Sequence, residues 1–344
     1  MKKKGVRLFV SLLWVLGFAL FLACNNSKAE KNNAIVKKTK VKTDTIKKLE
    51  ITAIDTTDYK ALMEALKNGD SSVRWRIKTP YPLPGALLPY KRIVAFYGNL
   101  YSKRMGILGE LPKDQMLKKL QGEVANWQRA DSTTQAIPAL HYIAITAQGK
   151  PGKNCKYRLR MPFKQIDTVI SWAKSINAIV FLDVQIGQST VKEEVSTLTD
   201  YLKLPNVHLG IDPEFAMKSG EVPGSKIGTL SATQINDAIE LLSAIVKENK
   251  LPPKVLVIHR FTQGMVTDYK NIKTTPEVQI VINMDGFGHQ SLKRSSYHLA
   301  IYREPIQFSG FKLFYKNDTK GNAKMFLPEE LMTFKPEPIY IQYQ

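Results

Sequence analysis

Eight short apolar runs recur along residues 92–344, and helical stretches separate most of them. This alternation limits the chain more than any other feature. The runs are Arg92–Gly98, Ala139–Ala147, Ala178–Gln185, Val207–Asp212, Lys254–His259, Val278–Asp285, Gly310–Tyr315 and Ile339–Gln342. They are rich in Val, Ile and aromatic residues and nearly continuous in apolar character, as strands covered on both faces are. Helical patterns lie between them at Pro112–Arg129, Phe163–Asn177, Val191–Leu202, Ser231–Asn249 and more weakly Gln290–Ala300, with a short one at Leu327–Leu331. Ser231 and Gln234 have the spacing of a capping box. Eight strand–helix units over about 250 residues predict a (β/α)8 TIM-type barrel. An open doubly wound sheet is the alternative, but the glycine fingerprint of a dinucleotide site is missing after the first strand.

The segments before the barrel read differently. Met1 to Arg7 is basic, and Leu8 to Ala23 is an uncharged apolar run of 16 residues. That is shorter than the roughly 20 residues of a spanning helix. The pattern is that of a signal peptide, with an uncleaved anchor as the other reading. Phe21-Leu22-Ala23-Cys24 resembles a bacterial lipobox, although Phe21 replaces the usual leucine. That resemblance implies cleavage before Cys24, acylation of Cys24 and anchoring to a lipid bilayer. Asn25 is not the aspartate that retains some lipoproteins at an inner membrane, so an outer membrane is the expected location.

The domain reading follows: signal peptide 1–23, flexible lipidated tether 24–50, extension 51–91 and barrel 92–344. The tether is Lys, Asn, Thr and Ala with few large apolar residues. The extension has a short helix at Asp58–Lys67 and a proline-rich collar at Thr79–Gly85. With Cys24 acylated, Cys155 leaves no disulfide for the mature fold. The formal charge is +20, yet residues 1–50 hold 12 Lys/Arg against 3 Asp/Glu. Much of the basicity thus lies outside the barrel, and no basic stripe is interleaved with aromatics. Nucleic acid is not an expected partner.

In a barrel, the C-terminal strand ends surround the active site. Those ends carry Tyr97 and Asn99, Asp183 and Gln185, Asp212 and Glu214, His259 and Arg260, Asp285 and His289, Asp318, and Gln342. So many polar groups at one end of a barrel point to chemistry, since burying carboxylates without use is costly. Asp212 and Glu214 are two apart and share a direction. Close carboxylates resist joint ionisation and hold unequal pKa values, as general acid/base hydrolysis needs. The structural reading of the pair is that Asp212 caps the turn and Glu214 pairs with Arg260. A divalent metal held by Asp183, Glu214, His259, Asp285 and His289 is the rival chemistry. His141 and His208 read as core histidines and His298 as a surface one.

Gly210-Ile211-Asp212-Pro213-Glu214 resembles the strand end of lysozyme-type glycoside hydrolases of family 25, and more loosely that of chitinase-like family 18 barrels. The barrel region also resembles a group of bacterial lipoproteins in Phe96-Tyr97-Gly98, Leu108-Gly109-Glu110, Leu182-Asp183-Val184-Gln185, Asp212-Pro213-Glu214, His259-Arg260-Phe261-Thr262 and Asp285-Gly286-Phe287-Gly288. The second resemblance implies no reaction. The first implies a glycoside hydrolase with Glu214 as general acid, Asp212 or Asp183 orienting it or activating water, and Asp285 as a second carboxylate. Tyr97, Tyr101, Trp127 and Phe287 would stack on sugar, with core packing the other reading of Trp127 and Phe287. Asn99, Gln185, His259, Arg260 and His289 would bind substrate. The substrate would be an envelope or imported polysaccharide. Glycan binding without turnover is the third class.

Overall fold

The computed structural model describes residues 55–75, 79–218 and 220–344. The signal, lipidation and tether readings, Cys24 included, lie outside the described residues. Eight parallel strands form one sheet: β1 Lys91–Gly98, β2 Gln135–Ala147, β3 Ile179–Val184, β4 Val207–Ile211, β5 Lys254–His259, β6 Val278–Met284, β7 Phe308–Leu313 and β8 Tyr340–Tyr343. Each pairs with its neighbour in chain order, and β8 pairs with β1, with Ile93 opposite Tyr340. The sheet is therefore a closed (β/α)8 barrel. All eight expected strands are present.

Side chains alternate across a strand, so each strand divides its residues between two cores. One face of β1 sends Val94 and Phe96 outward to helices, where they join the larger core with Leu120, Val169, Ile239 and Ile301. The other sends Ile93 and Ala95 inward, where they pack with Ala139, Phe181, Val257, Val281 and Tyr340. Both faces are dry, which is why the runs read as continuously apolar.

Helices run Lys113–Ala130, Phe163–Ser175 and Ala232–Asn249. Ser231 and Gln234 form the capping box. The expected helix over Val191–Leu202 is two, Val191–Ser196 and Thr199–Leu202. The break follows Glu194, which is fully buried and gripped by Arg158 at 2.7 Å and Arg160 at 2.7 Å. Those arginines lie on a short strand, Arg158–Arg160, antiparallel to the end of β2 and not foreseen in the sequence. A helix covers Gln290–Tyr297 and continues as a π-helical turn to Tyr302.

The extension covers the face where the strands begin. Its helix, Thr56–Ala65, is capped by the Asp55 side chain. Met63 and Leu66 pack on the inner core. Leu83 N donates to Pro276 O just before β6, and Glu337 N donates to Leu66 O just before β8. The buried Gln279 amide on β6 accepts from Leu87 N and Leu88 N and donates to Leu88 O. The opposite face is open. Among the described residues no helix is long and apolar enough to cross a membrane.

Candidate active site

The inward positions change character along the barrel. Near the strand starts they are mostly Ile, Ala, Val and Phe, with His208 and Gln279 as buried polar exceptions. Near the strand ends the same parity gives Tyr97 on β1, His141 on β2, Asp183 on β3, Gly210 on β4, His259 on β5, Asn283 on β6, Lys312 on β7 and Gln342 on β8. Tyr97, His141, Asp183, His259, Asn283, Lys312 and Gln342 are all buried. Above them opens a pocket of about 840 Å³ lined by Tyr97, Gln185, Asp212, Glu214, Asp285 and Lys312, with Phe261, Phe287 and Phe314 at its walls.

Asp183 sits at the centre of the floor. Tyr97 Oη donates to its Oδ2 at 3.0 Å. Its Oδ1 lies 3.2 Å from His141 Nε2 and 3.3 Å from His259 Nε2. His259 Nδ1 lies 3.2 Å from Asp285 Oδ2. These imidazole–carboxylate contacts have the length of hydrogen bonds but not their angles, and both His259 nitrogens, His141 Nε2 and Asp183 Oδ1 have no hydrogen-bond partner. Burial opposes charge on Asp183, but His259 and His141 outweigh it and hold its carboxyl well below the usual range. Burial likewise opposes a charged His259, and Asp183 and Asp285 overcome it, pushing the imidazole up to about 10. Burial wins at His141, which falls to about 4 despite Asp183.

Asp212 follows β4. Its Oδ1 accepts from Glu214 N at 3.0 Å and its Oδ2 from Gln185 Nε2 at 3.2 Å. It caps the turn Pro213–Phe215, as the structural reading of this motif held. Burial raises its pKa to about 8, and Asp285, Asp183 and Glu214 add to the rise against His259. Glu214 is half-buried on the pocket wall. Burial and then Asp285 raise its pKa, while Lys312 and His259 pull it down. A carboxyl whose pKa is raised by burial keeps its proton more readily, as proton donation to a leaving group requires.

Lys312 was not among the expected site residues. It is buried on β7 with its Nζ 3.7 Å from the Tyr97 ring centre. Burial lowers its pKa, opposed by Asp285, Asp212, Asp183 and Glu214. The signal was strand parity: Phe308, Gly310 and Lys312 share one face. His141 is a core histidine as expected, stacked on Phe181 and hydrogen-bonded to Tyr340; its contact with Asp183 was not foreseen.

The structure brings together Tyr97, Asp183, Gln185, Asp212, Glu214, His259 and Asp285, with Phe287 59% exposed at the rim. Five residues expected to bind or stack on substrate fall elsewhere. Arg260 follows inward-facing His259, so it points out into the helical shell. It donates to the carbonyls of Thr262, Gln263, Val266 and Ala300 and pairs with Glu304, not Glu214. Asn99 is buried and donates to Ile143 O while accepting from Tyr101 N, which fixes the loop after β1. His289 is an exposed helix cap, accepting from Leu292 N, and stands away from the pocket lining. The metal set that included it is not assembled. Tyr101 is 63% exposed and outside the pocket lining. Trp127 is fully buried and donates to Tyr343 Oη at 3.0 Å, so its core reading holds. Asp318 joins Lys293 and accepts from Gly288 N, bracing the loops after β6 and β7.

No protein-family model matches the chain, and comparison with curated proteins gives no match. Solved structures do match. One is the crystal structure of a ruminal GH26 endo-beta-1,4-mannanase, at 11% identity and a TM-score of 0.36, over 78% of this chain. The chain spans 64% of that enzyme's length.

Proposed function

We propose that this chain is a glycoside hydrolase, held on a bacterial outer membrane by lipid on Cys24 and acting on envelope or imported polysaccharide. The observation that carries the reading is that Glu214 and Asp285 line one pocket, where burial and then Asp285 raise the Glu214 pKa. Glu214 protonates the glycosidic oxygen as the bond to the sugar breaks. Asp285 stabilises the positive charge on the ring carbon, as nucleophile or as the base for water. Asp212 and Gln185 fix the turn that carries Glu214. Phe287 and Phe261 offer faces to sugar rings.

The test is Glu214→Gln, which keeps shape and removes the proton. Turnover of a bacterial or plant polysaccharide should fall about 10²- to 10⁴-fold while glycan binding by calorimetry stays unchanged. Wild-type chain that binds glycan and never cleaves it would make this a binding barrel instead.

A further inference from the structure

We propose that His141 Nε2, Asp183 Oδ1 and His259 Nε2 form a binding site for one divalent transition-metal ion, zinc in the first instance, beneath the pocket floor. All three residues are fully buried, and all three atoms lack hydrogen-bond partners. Unpaired polar atoms at such depth are costly. Here they face one another, and one donor atom from each residue lies within 4.8 Å of the others. Asp183 Oδ1 is 3.2 Å from one imidazole nitrogen and 3.3 Å from the other. Tetrahedral zinc, with bonds of about 2.0–2.2 Å, separates its ligands by about 3.3–3.6 Å.

The surroundings have the form of a metal site. Ligating histidines rest their second nitrogen on a carboxylate or another polar group, which orients the ring. His259 Nδ1 lies 3.2 Å from Asp285 Oδ2 and His141 Nδ1 lies 2.6 Å from Tyr340 Oη. The second oxygen of Asp183 accepts from Tyr97. Gly210 supplies the space. A Cβ there would stand 2.4 Å from Asp183 Oδ1 and 2.5 Å from His141 Nε2, in the room the donors face. Two imidazoles and one carboxylate suit zinc, iron or manganese and not calcium or magnesium, which favour all-oxygen shells. Three protein ligands leave a position open.

The inference is independent of the hydrolase reading, because metal is measured without substrate. The full-length chain in detergent is stripped with chelator and titrated with Zn²⁺, Fe²⁺ and Mn²⁺ separately. One equivalent of Zn²⁺ should bind, and Co²⁺ in its place should give the visible absorption of a four-coordinate ion. His141→Ala should weaken binding more than about 100-fold, and Tyr340→Phe about 10-fold. Gly210→Ala should also lose the ion, and His289→Ala should keep it. X-ray absorption of the wild-type zinc form should show imidazole scattering, which needs no variant to fold. Iron or manganese binding in place of zinc keeps the site and changes its ion. No stoichiometric binding of any of the three, or a zinc shell without imidazole, overturns the proposal and leaves a buried ion-pair network.

Discussion

Replacing Arg260 with methionine separates a structural role from a binding one. The guanidinium is fully buried and donates to four carbonyl oxygens, those of Ala300 at 3.1 Å, Val266 at 3.1 Å, Gln263 at 2.7 Å and Thr262 at 3.3 Å. Its Glu304 partner is 17% exposed and can take up water. The bonds to Ala300 and Val266 are buried, so those carbonyls would have no replacement donor. Each unsatisfied carbonyl costs about 1–3 kcal/mol. Methionine fills part of the volume and regains some apolar burial. A net loss of about 3–5 kcal/mol follows, in the range of a broken buried ion pair. At about 2 °C per kcal/mol for a chain of this size, Tm should fall by about 6–10 °C in a circular-dichroism melt. Arg260→Lys should recover little, because an ammonium cannot span the fork of carbonyls. Glycan affinity, measured well below the transition, should be unchanged. A Tm within about 1 °C of wild type together with lost glycan binding would refute the argument and return Arg260 to the pocket.

Lys312 bears on acid catalysis through Glu214. The rate should fall as pH rises through the raised pKa of Glu214, because the acid acts in its protonated form. Lys312 holds that pKa down, so Lys312→Met should move the falling limb of the pH–rate profile to higher pH; a limb that stays or moves down contradicts the assignment. Phe287→Ala should weaken glycan binding about 3- to 10-fold through lost stacking, with Tm unchanged, since the ring is 59% exposed; a large Tm loss would make it a core residue. Trp127→Ala should do the reverse, costing about 3–5 kcal/mol in urea unfolding with no change in glycan affinity.

The barrel was legible because its strands are buried on both faces, and continuous apolar runs between amphipathic helices have few other homes. The carboxylates at the strand ends were legible too, since Asp183, Asp212, Glu214 and Asp285 stand out against that background. What escaped was direction. His259 and Arg260 are adjacent, so one faces the barrel axis and the other the helices, and reading both as binding residues ignored a period of two. Lys312 escaped for the opposite reason. It lies in a run read only for its apolar neighbours, although Gly310 and Phe308 share its face. His141 depends on Gly210, a glycine on another strand 69 positions later in the chain. The space beside this histidine is visible only once β2, β3 and β4 are side by side.

The extension beneath the barrel gives the molecule a polarity. The helix Thr56–Ala65 and the collar cover the end where the strands begin. The pocket opens at the other pole. A barrel held to a surface through its leading end would therefore present its pocket away from that surface.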